Sequence, residues 1–335
     1  MASRILGFVL EETPGEEAVE VDTAVLSFGL LDQRDEEHPS AKYQLGETWG
    51  EDVLAAQDLV AGMINVKFVV RADYVHAWPF ILALGKLTSE GGGIYTITTG
   101  TRSANSIPSF TVYSQCGDDV VVVNGCKVKE LKFHLSAPRS ENEKPENAWF
   151  ELEIWGLTVA SHAAITADPQ VVDPTGLANT KGKGWDMVPV KTYSGETLSN
   201  LIEFNLQVIN QLVYHAALGT TRVPRGLEQL EGTIIDVTFA NVMDFTANDL
   251  QAAARTMVNT WAVGADNDIH LKLRFNTAGT EYHQIDMENV RIVADSGIKS
   301  ARGMDEFKSM GKPMYDGTNK ALSLSILDGA TYALV

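Results

Sequence analysis

Between residues 107 and 156 polar and apolar side chains alternate with a period of two. Phe110 and Val112 alternate with Thr111 and Tyr113, and Phe150, Leu152 and Ile154 alternate with Glu151, Glu153 and Trp155. A half-buried strand needs this pattern, because successive side chains leave a pleated backbone on opposite faces. Between these runs lies GCKVKELKFHL, where the apolar phase changes. Val128 belongs to one phase, and Leu131, Phe133 and Leu135 belong to the other. One extra residue in one strand produces such a switch, so a bulge or sharp bend is expected there. The stretch predicts the closing strands of a β-sandwich that uses both faces.

Residues 24–31 (AVLSFGLL) predict a first strand. Asp32 to Ala61 is long and polar, carries Trp49, and ends in a short helix-like piece, EDVLAAQDLVAG. In INVKFVV, Ile64, Val66 and Phe68 alternate with Asn65 and Lys67, which predicts a strand. In HAWPFILALG, Pro79 suits a first helical turn and Gly85 suits a helix stop. This helix is apolar nearly all round, so it should be buried against a sheet. GGGIYTITTGTRS predicts a flexible hairpin. Residues 160–200 are rich in Pro, Gly, Thr and Asp and show no stable period, as in a linker or a long surface arm. The expected organisation is a first domain over 1–165, a linker over 166–198 and a second domain over 199–335.

The second half repeats the element order of the first. NLIEFNLQVIN alternates through Ile202, Phe204, Leu206 and Val208. A long connection, Gln211 to Glu231, leads to GTIIDVTF, which matches GMINVKFV with one residue inserted. Thr246 is placed to cap a helix, ANDLQAAARTMV. IHLKLRF then stands where IPSFTVY stood. EYHQIDMENVRIV switches phase between Met287 and Val290, as the first half does after Val128. A loop and KALSLSIL close the half, in the place of AWFELEIW. The predicted fold is mainly β with a little α: two tandem β-sandwich or barrel domains, each with one flanking helix.

At 335 residues and 36.4 kDa the chain suits two domains of ordinary size. No apolar run reaches bilayer length, and MASRILGFVLEETPGEE lacks the features of a signal peptide, so a soluble protein made in the cytoplasm is expected. The net charge of −18 opposes tight binding to phosphate backbones. Cys116 and Cys126 flank an apparent turn where they could face each other, but two thiols make neither a disulfide framework nor a zinc site. Buried, inert thiols are expected.

Catalytic signatures are lacking. There is no phosphate-binding loop, nucleophile elbow or HExxH. The histidines, including His76, His134, His162, His215, His270 and His283, are dispersed, although His270 and His283 could approach on adjacent strands. Asp266-Asn267-Asp268 has a faint calcium-loop character but lacks the remaining ligands, and reads as a turn. Glu151 and Glu153 share one strand face, where solvated acids are far commoner than glycosidase pairs. Trp49, Trp149 and Trp155 suit core or interface roles better than a sugar platform. No enzyme activity, catalytic residue, cofactor or metal is expected.

The ordered combination of HAWPFILALG, IPSFTVY, NGCKVKELKFHLSAP and ENAWFELEIWG resembles the phage tail tube (major tail protein) family. The matching positions are Leu84-Gly85, Pro108 to Val112, Gly125 to Leu131 and Phe150 to Trp155. The clear match covers about the first half; the second follows by element order, including Gly279 to Val293. The resemblance implies a virion structural protein whose rings stack into a hollow tube through which the genome passes. Its implied partners are other copies of itself and the tape measure, tail terminator and baseplate proteins. DNA would transit without specific binding, and no membrane is involved. It implies location in the virion tail, and in the host cytoplasm before assembly. Two tube domains per chain imply three chains per pseudo-six-fold ring. A β-sandwich module binding a receptor or carbohydrate is the alternative. In this family the long first connection reaches the adjacent ring. Deleting Lys42–Gln57 is therefore expected to leave soluble subunits that do not grow tubes; tubes of normal length in micrographs of that variant would overturn the expectation.

Overall fold

The computed structural model of the chain describes residues 4–16, 26–27, 31–37, 64–71, 77–99, 107–116, 119–137, 148–162, 190–193, 196–197, 201–215, 226–229, 232–242, 269–276, 282–301, 304–315 and 321–327. The first half contains β1 (Arg4–Leu10), β2 (Leu26–Ser27), β3 (Leu31–Glu37), β4 (Ile64–Arg71), α1 (Trp78–Leu84), β5 (Gly85–Gly91), β6 (Ile94–Thr99), β7 (Phe110–Cys116), β8 (Asp119–Ser136), β9 (Trp149–Gly156) and β10 (Thr158–His162). The second contains β11 (Val190–Tyr193), β12 (Glu196–Thr197), β13 (Leu201–Ile209), β14 (Leu212–His215), β15 (Gly226–Gln229), β16 (Ile234–Val242), β17 (Ile269–Asn276), β18 (Tyr282–Ala301), β19 (Met304–Pro313) and β20 (Ser323–Leu327). The fold is mainly β. Eighteen strands form one antiparallel sheet, and β14 and β15 form a separate hairpin.

The same set of pairings occurs twice along the chain. In the first half β1 pairs with β2 and β7, β3 with β4, β4 with β9, and β8 with β7, β9 and β10. In the second, β11 pairs with β12 and β17, β13 with β16, β16 with β19, and β18 with β17, β19 and β20. Three irregularities also coincide. Register shifts fall at Leu31/Gln33, Phe110/Val112 and Val128/Glu130 in the first half. They fall at Leu201/Glu203, Ile269/Leu271 and Ile292/Ala294 in the second, where β18 carries a further shift at Asp295/Ile298 that β8 lacks. The phase switches expected in both halves are therefore bulges, but they are not equivalent: Met287–Val290 corresponds to Val123–Cys126, and the switch after Val128 corresponds to Ile292/Ala294. Followed through these registers, Ile64, Val66 and Phe68 stand in step with Ile235, Val237 and Phe239, and all six are buried.

Several sequence expectations need correction. The strand expected over 24–31 is represented by Leu26–Ser27 and by the start of β3 at Leu31, and β3 occupies the acidic segment expected to be loop. The N-terminal apolar patch is the strand β1. Within the stretch 166–198, expected as a linker, β11 and β12 are sheet strands. The connection from Gln211 to Glu231 contains the β14–β15 hairpin. The counterpart of β9 is β19, in the expected loop, whereas β20 corresponds to β10. Apolar residues in β19 recur every third position (Met304, Phe307, Met310, Pro313), so no period of two marked it. Residues 38–63, with Trp49 and the helix-like piece, and residues 243–268, with the expected second helix and Asp266-Asn267-Asp268, lie outside the described residues.

Helix α1 follows its sequence signals. Pro79 lies in the first turn, where its missing N–H costs nothing. Gly85 ends the helix at φ 88°, a conformation open to glycine, and its N–H donates to the Ile81 carbonyl. Every residue of the helix is buried. Phe80 packs edge-on against Phe150 at 5.0 Å and lies 5.8 Å from Phe133, whose ring is 6.3 Å from that of Phe204 in the second half. Most buried apolar residues of both halves form one cluster from Phe8 to Ile326, and Val9, Tyr113, Val120 and Val122 form a second, smaller one.

The bend in β8 is secured by a buried carboxylate. At Gly125, φ is +68°, and an added Cβ would lie 2.6 Å from Leu157 Cδ1. Glu11 Oε1 accepts hydrogen bonds from the Gly125 N–H and Thr111 Oγ1, both at 2.7 Å. Its Oε2 accepts from Ser109 Oγ at 2.7 Å and the Gly15 N–H at 2.8 Å. One side chain thus ties the end of β1 to the start of β7 and the kink of β8. Glu11→Ala strips acceptors from these donors and is expected to cost about 3 kcal/mol. The measurement is a lower urea midpoint at unchanged slope; an unaltered midpoint would contradict the assigned role.

Candidate assembly interface

The halves are joined by strand addition. Beyond its bulge, β8 pairs with β9 on one edge and with β13 on the other, from Glu130↔Ile209 to Ser136↔Glu203. On the core face Leu131 opposes Val208, Phe133 opposes Leu206, and Leu135 opposes Phe204, all buried. The Ala137 N–H donates to the Ile202 carbonyl at 2.7 Å, extending the joint at one end. At the other end Asn210 takes up the carbonyl groups that the bulge displaces. Its backbone N–H donates to the Lys129 carbonyl at 2.8 Å, and its Nδ2 donates to the carbonyls of Val128 at 3.0 Å and Ala83 at 2.8 Å. Its Oδ1 accepts from Thr233 Oγ1 at 2.9 Å. Asn210 is 1% exposed, and it binds α1, β8 and the second half together. A second joint pairs β20 with β6.

The opposite face of the joint is a ladder of polar pairs. Lys132 Nζ lies 2.7 Å from Glu151 Oε1, and Lys129 Nζ lies 2.6 Å from Glu153 Oε1. Gln207 donates to Glu130, His134 bonds to Asn205, and Lys308 reaches Glu203 at 2.7 Å. Partial burial alone would lower the Lys132 pKa, but the hydrogen bond to Glu151 and the charges of Glu130, Glu151 and Glu153 override it and hold the ammonium above its ordinary value. Trp149 stacks on His134 with ring centroids 4.9 Å apart, and Trp155 lies 4.7 Å from Lys129 Nζ. Glu151 and Glu153 are thus lysine-paired acids of one strand face.

Other candidates separate in space. In the β7–β8 hairpin Cys126 lies opposite Phe110 and Cys116 opposite Asp119, so the two cysteines are not cross-strand partners. Burial pushes the Cys126 thiol pKa well up, helped by the charge of Glu11, which keeps this thiol protonated and inert. His283 lies opposite Phe275, while His270 lies opposite the β18 bulge at Glu288 and Asn289, so the two are not cross-strand partners. No group of three potential metal ligands occurs among the described residues. A cleft of about 240 Å³ beside the β14–β15 hairpin is lined by Lys127, His215, Glu228 and Leu227, among others. Burial lowers the Lys127 pKa, and Glu228 and Glu11 oppose that shift.

Two edges correspond to the two sides of the joint. In the repeated pattern β18 takes the place of β8, and β3 takes the place of β13. Among the described residues β3 pairs with β4 alone, and the end of β18 from Asp295 to Ala301 pairs with β19 alone. Open backbone edges of this kind are templates for another strand.

No family model matches this chain, and no curated protein matches it.

Sequence reading missed Asn210 and Glu11. Each is a single polar residue at a strand end, and its partners lie up to 127 positions away for Asn210 and 114 for Glu11. Asn210→Ala removes both side-chain donors from the bulge and is expected to lower stability by about 2 kcal/mol. Chemical denaturation followed through tryptophan fluorescence would read this loss, and a change within error of zero would refute it.

Proposed function

We propose that this protein is a structural subunit of a viral tail tube, which assembles into stacked rings around a lumen that the genome traverses. The observation carrying this reading is the repeated set of strand pairings, joined within the chain by β8 and β13, with the matching edges at β3 and the end of β18 unpaired on their other side among the described residues. A unit that already adds to its own copy by strand pairing is suited to continue doing so with further chains. The resemblance of the first-half motifs to tail tube proteins supports the same reading. The net charge of −18 favours passage of a duplex without adhesion. On the polar face of the joint the acids are offset by lysines, so the acid excess must lie elsewhere on the chain.

Other copies of the chain are the principal partners. The tape measure, terminator and baseplate proteins are partners at the tube ends, as in the family it resembles. With two units per chain, three chains complete a pseudo-six-fold ring. Purified protein is expected to form rings or tubes with a stain-filled centre in electron micrographs, and native mass measurement of single rings should give three times 36.4 kDa. Only discrete monomers at every concentration, with measurable glycan binding, would replace this reading with a receptor-binding module. Six chains per ring would refute the trimer.

A further inference from the structure

We infer that the end of β18 beyond its last bulge, Ile298–Ala301, pairs antiparallel with β3 of a second copy of this chain, reproducing between molecules the far end of the joint that β8 and β13 make within one. The inference rests on the assembling-subunit reading and specifies its contact.

Shared partners set the register. β8 His134 lies opposite Trp149, and Trp149 lies opposite Arg71. β18 Lys299 lies opposite Glu306, and Glu306 lies opposite Val242, so Lys299 stands in the place of His134. By the same route Ile298 replaces Phe133. On the other side, the coincident bulges at Leu31/Gln33 and Leu201/Glu203 place Arg34, Asp35 and Glu36 where Phe204, Asn205 and Leu206 stand. The observed pair Asn205↔His134 thereby becomes Asp35↔Lys299 between chains. Phe204↔Leu135 becomes Arg34↔Ser300, and Leu206↔Phe133 becomes Glu36↔Ile298.

Charge favours this partner. β3 reads LDQRDEE, and its central Asp35 falls opposite Lys299, which gives a cross-strand pair of opposite sign. The substitutions also separate the two joints by chemistry. The joint inside the chain is apolar on its core face, as suits a permanent contact. The joint between chains carries Arg34 and Glu36 at those positions, as suits an edge that meets water before assembly. The contact is head-to-tail, so successive copies run in one direction and make a ring where the rotation between them closes.

The test combines charge reversal with cross-linking in the full-length chain. Lys299→Glu is expected to raise the concentration for half-assembly about ten-fold. Asp35→Lys in the same chain should restore assembly, a recovery that a misfolded variant would not show. Arg34→Cys with Ser300→Cys should give covalent multimers on mild oxidation. The unsubstituted chain, with Cys116 and Cys126, should not, nor should Arg34→Cys with Lys299→Cys, whose positions fall on opposite faces in this register. Rings that form normally with Lys299→Glu and give no Arg34–Ser300 cross-link would overturn this contact and leave the ring reading intact. A parent protein that never assembles would overturn both.

Discussion

The structure depends on how one long strand can serve more neighbours than it has edges. β8 runs for eighteen residues and pairs with β7 and β10 at its start, then with β9 and β13 at its end. It changes neighbours by accommodating extra residues near Gly125 and at Lys129. Each extra residue bends the strand and displaces backbone groups that a buried sheet must still satisfy. Glu11 supplies the acceptors at the first bend, and Asn210 supplies the donors at the second. These buried polar side chains come from opposite halves of the chain. The second bend therefore has its displaced carbonyls satisfied only when the second half is in place.

The same device recurs in β18, with its own phase switch between Met287 and Val290. The two bent strands are flanked by the same order of neighbours, and one cluster of buried apolar residues spans both halves. Within the chain the bent strand β8 offers one edge, and β13 fills it. Within the chain this contact is built from Phe133, Leu135, Phe204 and Leu206. Such side chains could not stand exposed in a free subunit, because an apolar edge is also a template for aggregation. In β3 and the end of β18 the corresponding positions are Arg34, Glu36, Ile298 and Ser300, of which Ile298 alone is apolar.

Much of this was legible in local pattern. Strict alternation marked β4, β9, β13, β16 and β17, since each has one buried and one wetter face; β7 alternates in sequence although Thr111, Tyr113 and Ser114 are buried as well. Pro79 and Gly85 bounded α1 through backbone constraints that do not depend on surroundings. The phase switches after Val128 and Met287 were visible because an inserted residue moves every later apolar side chain to the other face. β1 and β3 escaped notice for opposite reasons. Arg4–Leu10 is apolar at most consecutive positions, and Leu31–Glu37 is almost wholly polar, so neither shows a period.

The amino-acid sequence by itself determined which segments extend, where one helix starts and stops, and at which residues two strands change phase. Those outcomes follow from side-chain alternation and from the φ preferences of Pro and Gly, which act over a few residues. Only the tertiary structure decided that β19 rather than β20 corresponds to β9, that the two cysteines lie at opposite ends of a hairpin, and that β13 fills the edge of β8. Strand partners are chosen by matching faces and backbone groups far apart in the chain, and local pattern carries no record of which distant edge will be open.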